Sequence, residues 1–271
     1  MISLIFFLLF APIGYGVAAE VPTPKPLVVV SMPPYLHMVK TLVGEQVDVI
    51  SIVPPGADPH SYEPSPKEMQ IIGRASLWIR LGDPFDKKAH RLLMSANPEL
   101  SCLTLLEQNK DAHKHDPHIW LSPVLAKEQA MRIGDSLATL LPEEKKHIAQ
   151  ALEKFLHQLD ECDQTLRAHL ANKKGRALLL PHPALGYFCQ DYDLVQLALE
   201  QEEKEPGPKD LLRILAYAKE HPPLCVLVQP HHNNKGIRLI AKELQLDTHF
   251  FDPCSEDVIQ SFQQLDAILS P

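Results

Sequence analysis

The longest regular pattern of apolar and polar residues lies between Glu143 and Asn172. Apolar side chains recur there at steps of three and four residues, with charged and amide side chains between them: Ile148, Ala151, Leu152, Phe155, Leu159, Cys162, Leu166 and Leu170. This spacing predicts one amphipathic α-helix, and the segment from Asn172 to Gly175 supplies its stop signal. Thirty residues at ~1.5 Å each would span roughly 45 Å. A helix of that length suits a rigid connection between two lobes.

Apolar runs typical of buried strands occur on both sides of this helix. Those before the helix are residues 27–31, 47–53 and 77–81, and those after it are residues 177–180, 194–199, 225–228 and 249–251. Helical patterns lie at residues 35–42, 185–192, 209–220, 235–244 and 255–269. Strands that alternate with helices predict βαβ units and a largely parallel, right-handed open sheet.

The predicted fold class is therefore α/β, with two lobes of mostly parallel sheet and flanking helices, joined by one long rigid helix. We assign residues 26–142 to the N-terminal lobe, 143–172 to the linking helix and 176–271 to the C-terminal lobe. A chain of 271 residues, of which 45% are hydrophobic, is large enough for a substantial core.

The charge and the N-terminus indicate an exported protein that does not bind nucleic acid. The net charge of −8 argues against a nucleic-acid partner, which requires a basic surface. Residues 2–10 are apolar and uncharged, and small residues precede Glu20, an order that resembles a secretory signal peptide. We predict a signal peptide over residues 1–19 with cleavage after Ala19. An uncleaved anchor is disfavoured because Pro12 and Gly14 leave an apolar run shorter than the ~20 residues a membrane span needs.

The cysteine count leaves the disulfide pattern open. Five cysteines without a C-x-x-C pair allow two bridges and one free thiol, and their connectivity cannot be deduced from the sequence. Cys162 lies on the apolar face of the predicted long helix, where we expect a buried small side chain.

Four loops that follow predicted strands each contain a candidate metal ligand. The candidates are His60 in a Pro-rich loop, His118 after the region 102–106, His182 after residues 177–180, and Asp252 after residues 249–251. Ligands of open α/β sheets bind beyond the carboxyl ends of the strands, so these side chains are expected to share one place. Three imidazoles and one carboxylate complete a tetrahedral site for an ion such as Zn²⁺. The sequence therefore predicts a metal held between the two lobes.

Four motifs resemble those of the zinc/manganese solute-binding proteins of bacterial ABC importers, the ZnuA/TroA/PsaA-like cluster A-I family. They are GADPHSYEPSP at residues 56–66, DPHIWLSP at 116–123, HPALGYF at 182–188 and FDP at 251–253. The resemblance runs from about Leu27 to the C-terminus. It implies two α/β lobes joined by a rigid helix, with a metal coordinated by His60, His118, His182 and Asp252. It also implies capture of the metal in the periplasm, delivery to an ABC transporter membrane permease, and no enzymatic activity.

The resemblance also bears on the ion. Manganese-preferring members are expected to have a carboxylate at the position of His182, and imidazole suits Zn²⁺ better than Mn²⁺. Zinc is therefore the expected cargo, with a manganese- or iron-preferring member as the alternative. The His-rich loop that zinc members often carry is reduced here to residues 110–115. His113 and His115 there could relay metal or lie free in solvent. We expect the protein to act as a monomer.

Three positions depart from the family pattern. Pro183 stands where an Asp usually follows the third His, so a hydrogen bond that orients His182 is either missing or replaced. Gln229 replaces a Glu and is followed by Pro230, His231 and His232, and whether these two His assist metal loading is left open. Some zinc-binding members have a disulfide between the strand of Cys225 and the last helix. Residues 255–271 of this chain contain no cysteine, so Cys225 has no such disulfide partner.

Other functional classes are less well supported by the sequence. A zinc-dependent hydrolase would need an open coordination position and a general base, and no H-E-x-x-H motif is present. An adhesion protein on the same scaffold would hold a structural metal. A siderophore or vitamin binder predicts a cleft without clustered His.

Overall fold

The computed structural model describes residues 24–82, 84–106, 116–200 and 207–270. Within these residues the chain forms two four-stranded sheets in which all neighbouring strands are parallel. The first contains β1 (Leu27–Val30), β2 (Asp48–Ser51), β3 (Leu77–Arg80) and β4 (Ser101–Thr104). The second contains β5 (Ala177–Leu180), β6 (Val195–Ala198), β7 (Cys225–Val228) and β8 (Thr248–Phe250). The predicted fold class is confirmed.

Helices cover both faces of each sheet. They are α1 (Pro34–Val43), α2 (Pro66–Ile72), α3 (Pro84–Ala96), α4 (Pro123–Leu140), α5 (Lys145–Leu170), α6 (Gly186–Asp191), α7 (Pro208–Glu220), α8 (Lys235–Leu244) and α9 (Val258–Leu269). Several begin as their sequences suggest, with proline in the first turn. Ser65 and Glu68 form a capping box at α2, and Ser122 caps α4.

The long helix α5 has 26 residues and is two residues shorter at each end than the predicted span of 143–172. Pro142–Glu144 forms a 3₁₀ turn instead of the first turn of the helix. At the other end, Gly175 has a φ of 74°, a left-handed conformation that suits glycine and turns the chain towards β5. The side chains that α5 buries are Ile148, Phe155, Leu159, Leu166 and Leu170.

The two sheets share the same strand order. The first runs β2-β1-β3-β4 and the second β6-β5-β7-β8, so each reverses direction beside its first strand. Such a reversal opens a crevice at the carboxyl ends of the strands. Both crevices lie at the loops that contain the candidate ligands.

One continuous hydrophobic core lies between the two sheets. It contains Val28 and Val30 of β1, Phe155 of α5, Leu178 of β5 and Phe262 of α9. Helices α1, α4 and α9 pack against α5 in this layer. Separate outer cores cover the opposite face of each sheet, one around Trp78 and the other around Val226. The lobes are therefore joined by a shared helical layer, of which the predicted linking helix is one part.

The cysteines and the helices each bear on a prediction made from the sequence. None of the five cysteines is paired, and Cys162 is partly buried against the central core. Among the described residues, no helix combines the length and the apolarity needed to cross a bilayer. The predicted signal peptide, residues 1–19, lies outside the described residues.

Candidate metal centre

Three of the predicted ligands come together at the crevice between the sheets. His60 lies in the loop after β2, His118 in the loop after β4, and His182 directly after β5. Their candidate ligand nitrogens all lie within 4.8 Å of one another. The ring centroid of His182 is 4.6 Å from that of His60 and 5.2 Å from that of His118. These distances are short enough for one ion to be reached by all three imidazoles after small adjustments.

Asp252, the fourth predicted ligand, follows β8 and lines the same cavity. Its Oδ1 accepts a hydrogen bond from the backbone N–H of Cys254, at 2.9 Å. Among the described residues, the group of ligand atoms that lie within 4.8 Å of one another contains the three imidazoles but not Asp252. The next residue, Pro253, accepts a hydrogen bond of 2.7 Å from the indole Nε1 of Trp120. That bond fixes the Asp252 loop to the segment that contains His118.

A carboxylate orients His118. Its Nδ1 lies 2.7 Å from Oδ1 of Asp116, and its backbone N–H donates to the same oxygen at 2.9 Å. The side chain of His118 is only 6% exposed. With Nδ1 turned towards the carboxylate, Nε2 is the nitrogen available to an ion.

Gly186 allows this carboxylate to come close to the second lobe. A Cβ atom at Gly186 would lie 2.5 Å from Oδ2 of Asp116, which is shorter than any tolerable contact. The glycine of the HPALGYF motif therefore has a steric reason: its missing side chain leaves room for the residue that orients His118.

The loop that contains His60 is held by Asp58. The two carboxylate oxygens of Asp58 accept the backbone N–H of His60 at 3.0 Å and the hydroxyl of Ser61 at 2.8 Å. Burial opposes ionisation of Asp58, but these hydrogen bonds and the nearby imidazoles outweigh it and lower its pKa. An ionised Asp58 thus fixes the backbone at His60, which is itself exposed.

His182 is oriented by Glu200, a residue that the sequence analysis did not identify. Nδ1 of His182 lies 2.9 Å from Oε2 of Glu200, and Nδ1 of His232 lies 3.1 Å from Oε1 of the same carboxylate. The rings of His182 and His232 stack with centroids 4.6 Å apart and an interplanar angle of 13°. Glu200 follows β6 and His232 follows β7, so both come from the crevice of the second sheet. Glu200 replaces the hydrogen bond that Pro183 cannot supply.

The protonation states favour metal binding by His182. Burial lowers the pKa of His182, and the neighbouring imidazoles lower it further, although the hydrogen bond to Glu200 acts in the opposite direction. Burial also opposes ionisation of Glu200, but hydrogen bonds from His182 and His232 outweigh it and bring its pKa to about 2. An ionised carboxylate only accepts, so Nδ1 carries the proton and Nε2 has a free lone pair. That Nε2 is buried and has no hydrogen-bond partner among the residues that the structure describes.

Gln229, the second departure from the family pattern, fixes the backbone at His182. The side-chain oxygen of Gln229 accepts the N–H of His182 at 2.9 Å, and Gln229 is 1% exposed. Sequence reasoning noted Gln229 and His232 but could not place them. His113 and His115 lie outside the described residues.

We expect Glu200→Gln to lower metal affinity by about 10- to 100-fold, the range typical of groups that support a ligand. A glutamine offers one acceptor and one donor, so one of the two imidazoles must accept at Nδ1 and carry its proton on Nε2. That ring then has no lone pair to offer an ion. The measurement is a competition titration against a metal-sensitive dye.

The matched control is Glu243→Gln, because Glu243 lies on the surface of α8 beside Lys219. Its affinity should equal that of the unmodified chain. Equal affinities for both variants would contradict the role assigned to Glu200.

Sequence comparison identifies a matching family and similar known proteins. Residues 28–265 match the family described as the periplasmic zinc-uptake complex component A. A candidate metal-binding protein of Chlamydia muridarum is 30% identical over 264 residues, which cover 95% of each chain. The high-affinity zinc uptake system protein ZnuA of Bacillus subtilis is 24% identical over 242 residues, covering 82% of this chain and 76% of that protein.

A solved structure shares the fold. A crystal structure of ZnuA superimposes with a TM-score of 0.83 at 29% identity, covering 89% of this chain and 96% of the other.

Proposed function

Since the chain belongs to the family of periplasmic zinc-uptake complex A components, we propose that it captures a divalent transition metal, with zinc preferred, and delivers it to an ABC importer permease. The metal is its cargo. The mature protein acts in the periplasm as a monomer after removal of residues 1–19. A zinc-dependent hydrolase is not proposed, because the family role is transport.

In this proposal His60, His118, His182 and Asp252 hold the ion. The observation that carries it is the buried Nε2 of His182, which has no hydrogen-bond partner in the described part of the chain. His182 also belongs to a group of three imidazoles whose candidate ligand atoms lie within 4.8 Å of one another. A buried polar atom without a partner typically costs about 1–3 kcal/mol. A bound cation would remove that cost by accepting the lone pair. Asp252, on the wall of the same cavity, supplies the negative charge and the fourth donor.

Zinc is preferred because the donor set is dominated by imidazole nitrogen. Asp116 and Glu200 each hold Nδ1 of a ligand, which leaves neutral Nε2 donors for the ion. Such donors suit Zn²⁺, whereas Mn²⁺ prefers carboxylate oxygen, and Fe²⁺ lies below Zn²⁺ in intrinsic affinity.

We expect one high-affinity Zn²⁺ per chain, with weaker binding of Mn²⁺ and of Fe²⁺. Competition titration of the metal-free protein at neutral pH measures this order, with Fe²⁺ handled without oxygen. Equal or tighter Mn²⁺ binding would overturn the zinc preference while leaving a transport role in place. Absence of binding for all three ions would overturn the proposed function.

A further inference from the structure

His232 has the same support as the ligand His182. Both rings place Nδ1 against Glu200, one on each carboxylate oxygen, and the two rings are nearly parallel. In an imidazole, Nε2 lies across the ring from Nδ1. Both Nε2 atoms are therefore directed away from Glu200. Both residues line the same cavity as His60, which contains the candidate metal position.

The loop of His232 is built to keep the ring there. His231 has a φ of 63°, a left-handed conformation that is uncommon for a residue other than glycine. Asn234 closes the turn: its side-chain nitrogen donates to the carbonyl oxygens of Gln229 and His232, at 2.7 and 3.0 Å. Its side-chain oxygen accepts the N–H of Gln229 at 3.2 Å. The side chain of His232 is only 14% exposed, unlike that of the neighbouring His231, which is exposed.

The ring of His232 is also close to the imidazoles of the metal centre. Its centroid lies 4.6 Å from that of His182 and 6.2 Å from that of His60. His182, Glu200 and His232 form a second group of potential ligand atoms within 4.8 Å, and it shares His182 with the first group. Because His232 lies outside the group of His60, His118 and His182, the 229–234 loop has to move for Nε2 of His232 to reach the same ion.

We propose that His232 is a further ligand of the captured ion, which it binds through Nε2 as a fourth imidazole. The inference rests on the proposed function and specifies its donor set: four imidazoles and the carboxylate of Asp252. Zn²⁺ is mostly four-coordinate in proteins and can expand to five donors. The fourth nitrogen increases the preference for imidazole-binding ions over Mn²⁺. Glu200 is then a shared positioning residue, which sets the same tautomer on two ligands.

The test compares His232→Asn with His231→Asn. Asparagine removes the imidazole in both cases and tolerates the left-handed conformation at position 231. We expect His232→Asn to lower Zn²⁺ affinity by at least the roughly 10- to 100-fold that is typical of groups that only support a ligand. His231→Asn should keep the affinity of the unmodified chain.

X-ray absorption of the zinc-loaded proteins supplies the readout that a supporting role would not change. The unmodified chain should have four imidazoles on the ion and His232→Asn three. Three imidazoles in the unmodified chain, or a weaker His232→Asn variant that keeps the same number, would overturn the proposal. Failure of the unmodified chain to bind Zn²⁺ would instead refute the proposed function.

Discussion

Zinc affinity is expected to fall by about 100-fold or more when His182 is replaced by Ala, beyond the 10- to 100-fold typical of a supporting group. The substitution removes the central imidazole, which contacts the rings of both His60 and His118. It also leaves Glu200, an ionised and largely buried carboxylate, with one hydrogen-bond donor fewer. Both changes are expected to weaken zinc binding.

A titration of metal-free protein with a competing chelator measures this effect. His60→Ala and His118→Ala should also weaken binding strongly. Asp252→Ala should weaken binding because it removes a carboxylate that lines the cavity. The control is His147→Ala, an exposed histidine on α5. His113→Ala and His115→Ala should resemble that control. If the variants at His113 and His115 lose as much affinity as that at His60, the centre has been assigned to the wrong residues.

The second large effect is the stabilisation of the fold by zinc, which should be strong at neutral pH and nearly absent at pH 5. An ion at 1,000 times its dissociation constant adds about 4 kcal/mol to the free energy of unfolding. For a chain of this size that raises the melting temperature by about 8–16 °C. Protonation of imidazoles, with an ordinary pKa of ~6.5, competes with the metal and removes this gain at lower pH.

Two groups at the candidate centre contribute to the pH dependence of the metal-free protein. The pKa of His182 is lowered on folding, so its contribution to the metal-free fold is present above its ordinary pKa and is lost as the pH falls through the lowered value. The pKa of Glu200 is lowered to about 2, so its contribution is lost only below its ordinary pKa of about 4.5. Between pH 5 and 7.5, His182 therefore lowers the stability of the metal-free protein as the pH falls, whereas Glu200 contributes little to the change.

The experiment is thermal melting with and without Zn²⁺ at several pH values from 5 to 7.5, and the quantity compared is the difference between the two melting temperatures. Subtraction removes the pH dependence of the metal-free protein. A difference that does not change with pH would refute a centre made of imidazoles.

Periodicity along the chain was enough to predict the two parallel sheets and the long helix α5. It did not identify α4, an 18-residue helix, although Ser122 and Pro123 are an N-terminal signal. Nor did it identify α2 and α3. The buried side chains of α4 include Ala126, Ala130, Ile133 and Leu137, which lie on one face at three- and four-residue steps. Two of these four are alanine, so the apolar face is weakly marked in the sequence.

The candidate ligands could be proposed from their positions after strands, but their supporting groups could not. Glu200 lies 18 residues from His182 in sequence and meets it only because β5 and β6 are neighbours. His232 reaches the same carboxylate from β7, on the other side of β5. Strand order is a property of the tertiary fold, and Pro183 in the sequence signalled only that some replacement was needed.

The central core also sets the order in which the chain can fold during synthesis. Val28 in the first strand and Leu269 in the last helix belong to the same core, so it joins residues that are almost the whole chain apart. Helix α9 packs against α5 in this core, so the layer between the sheets is complete only when α9 is present. Contacts of such long sequence separation slow folding. The central core of a nascent chain is therefore expected to be completed only after α9 has been made.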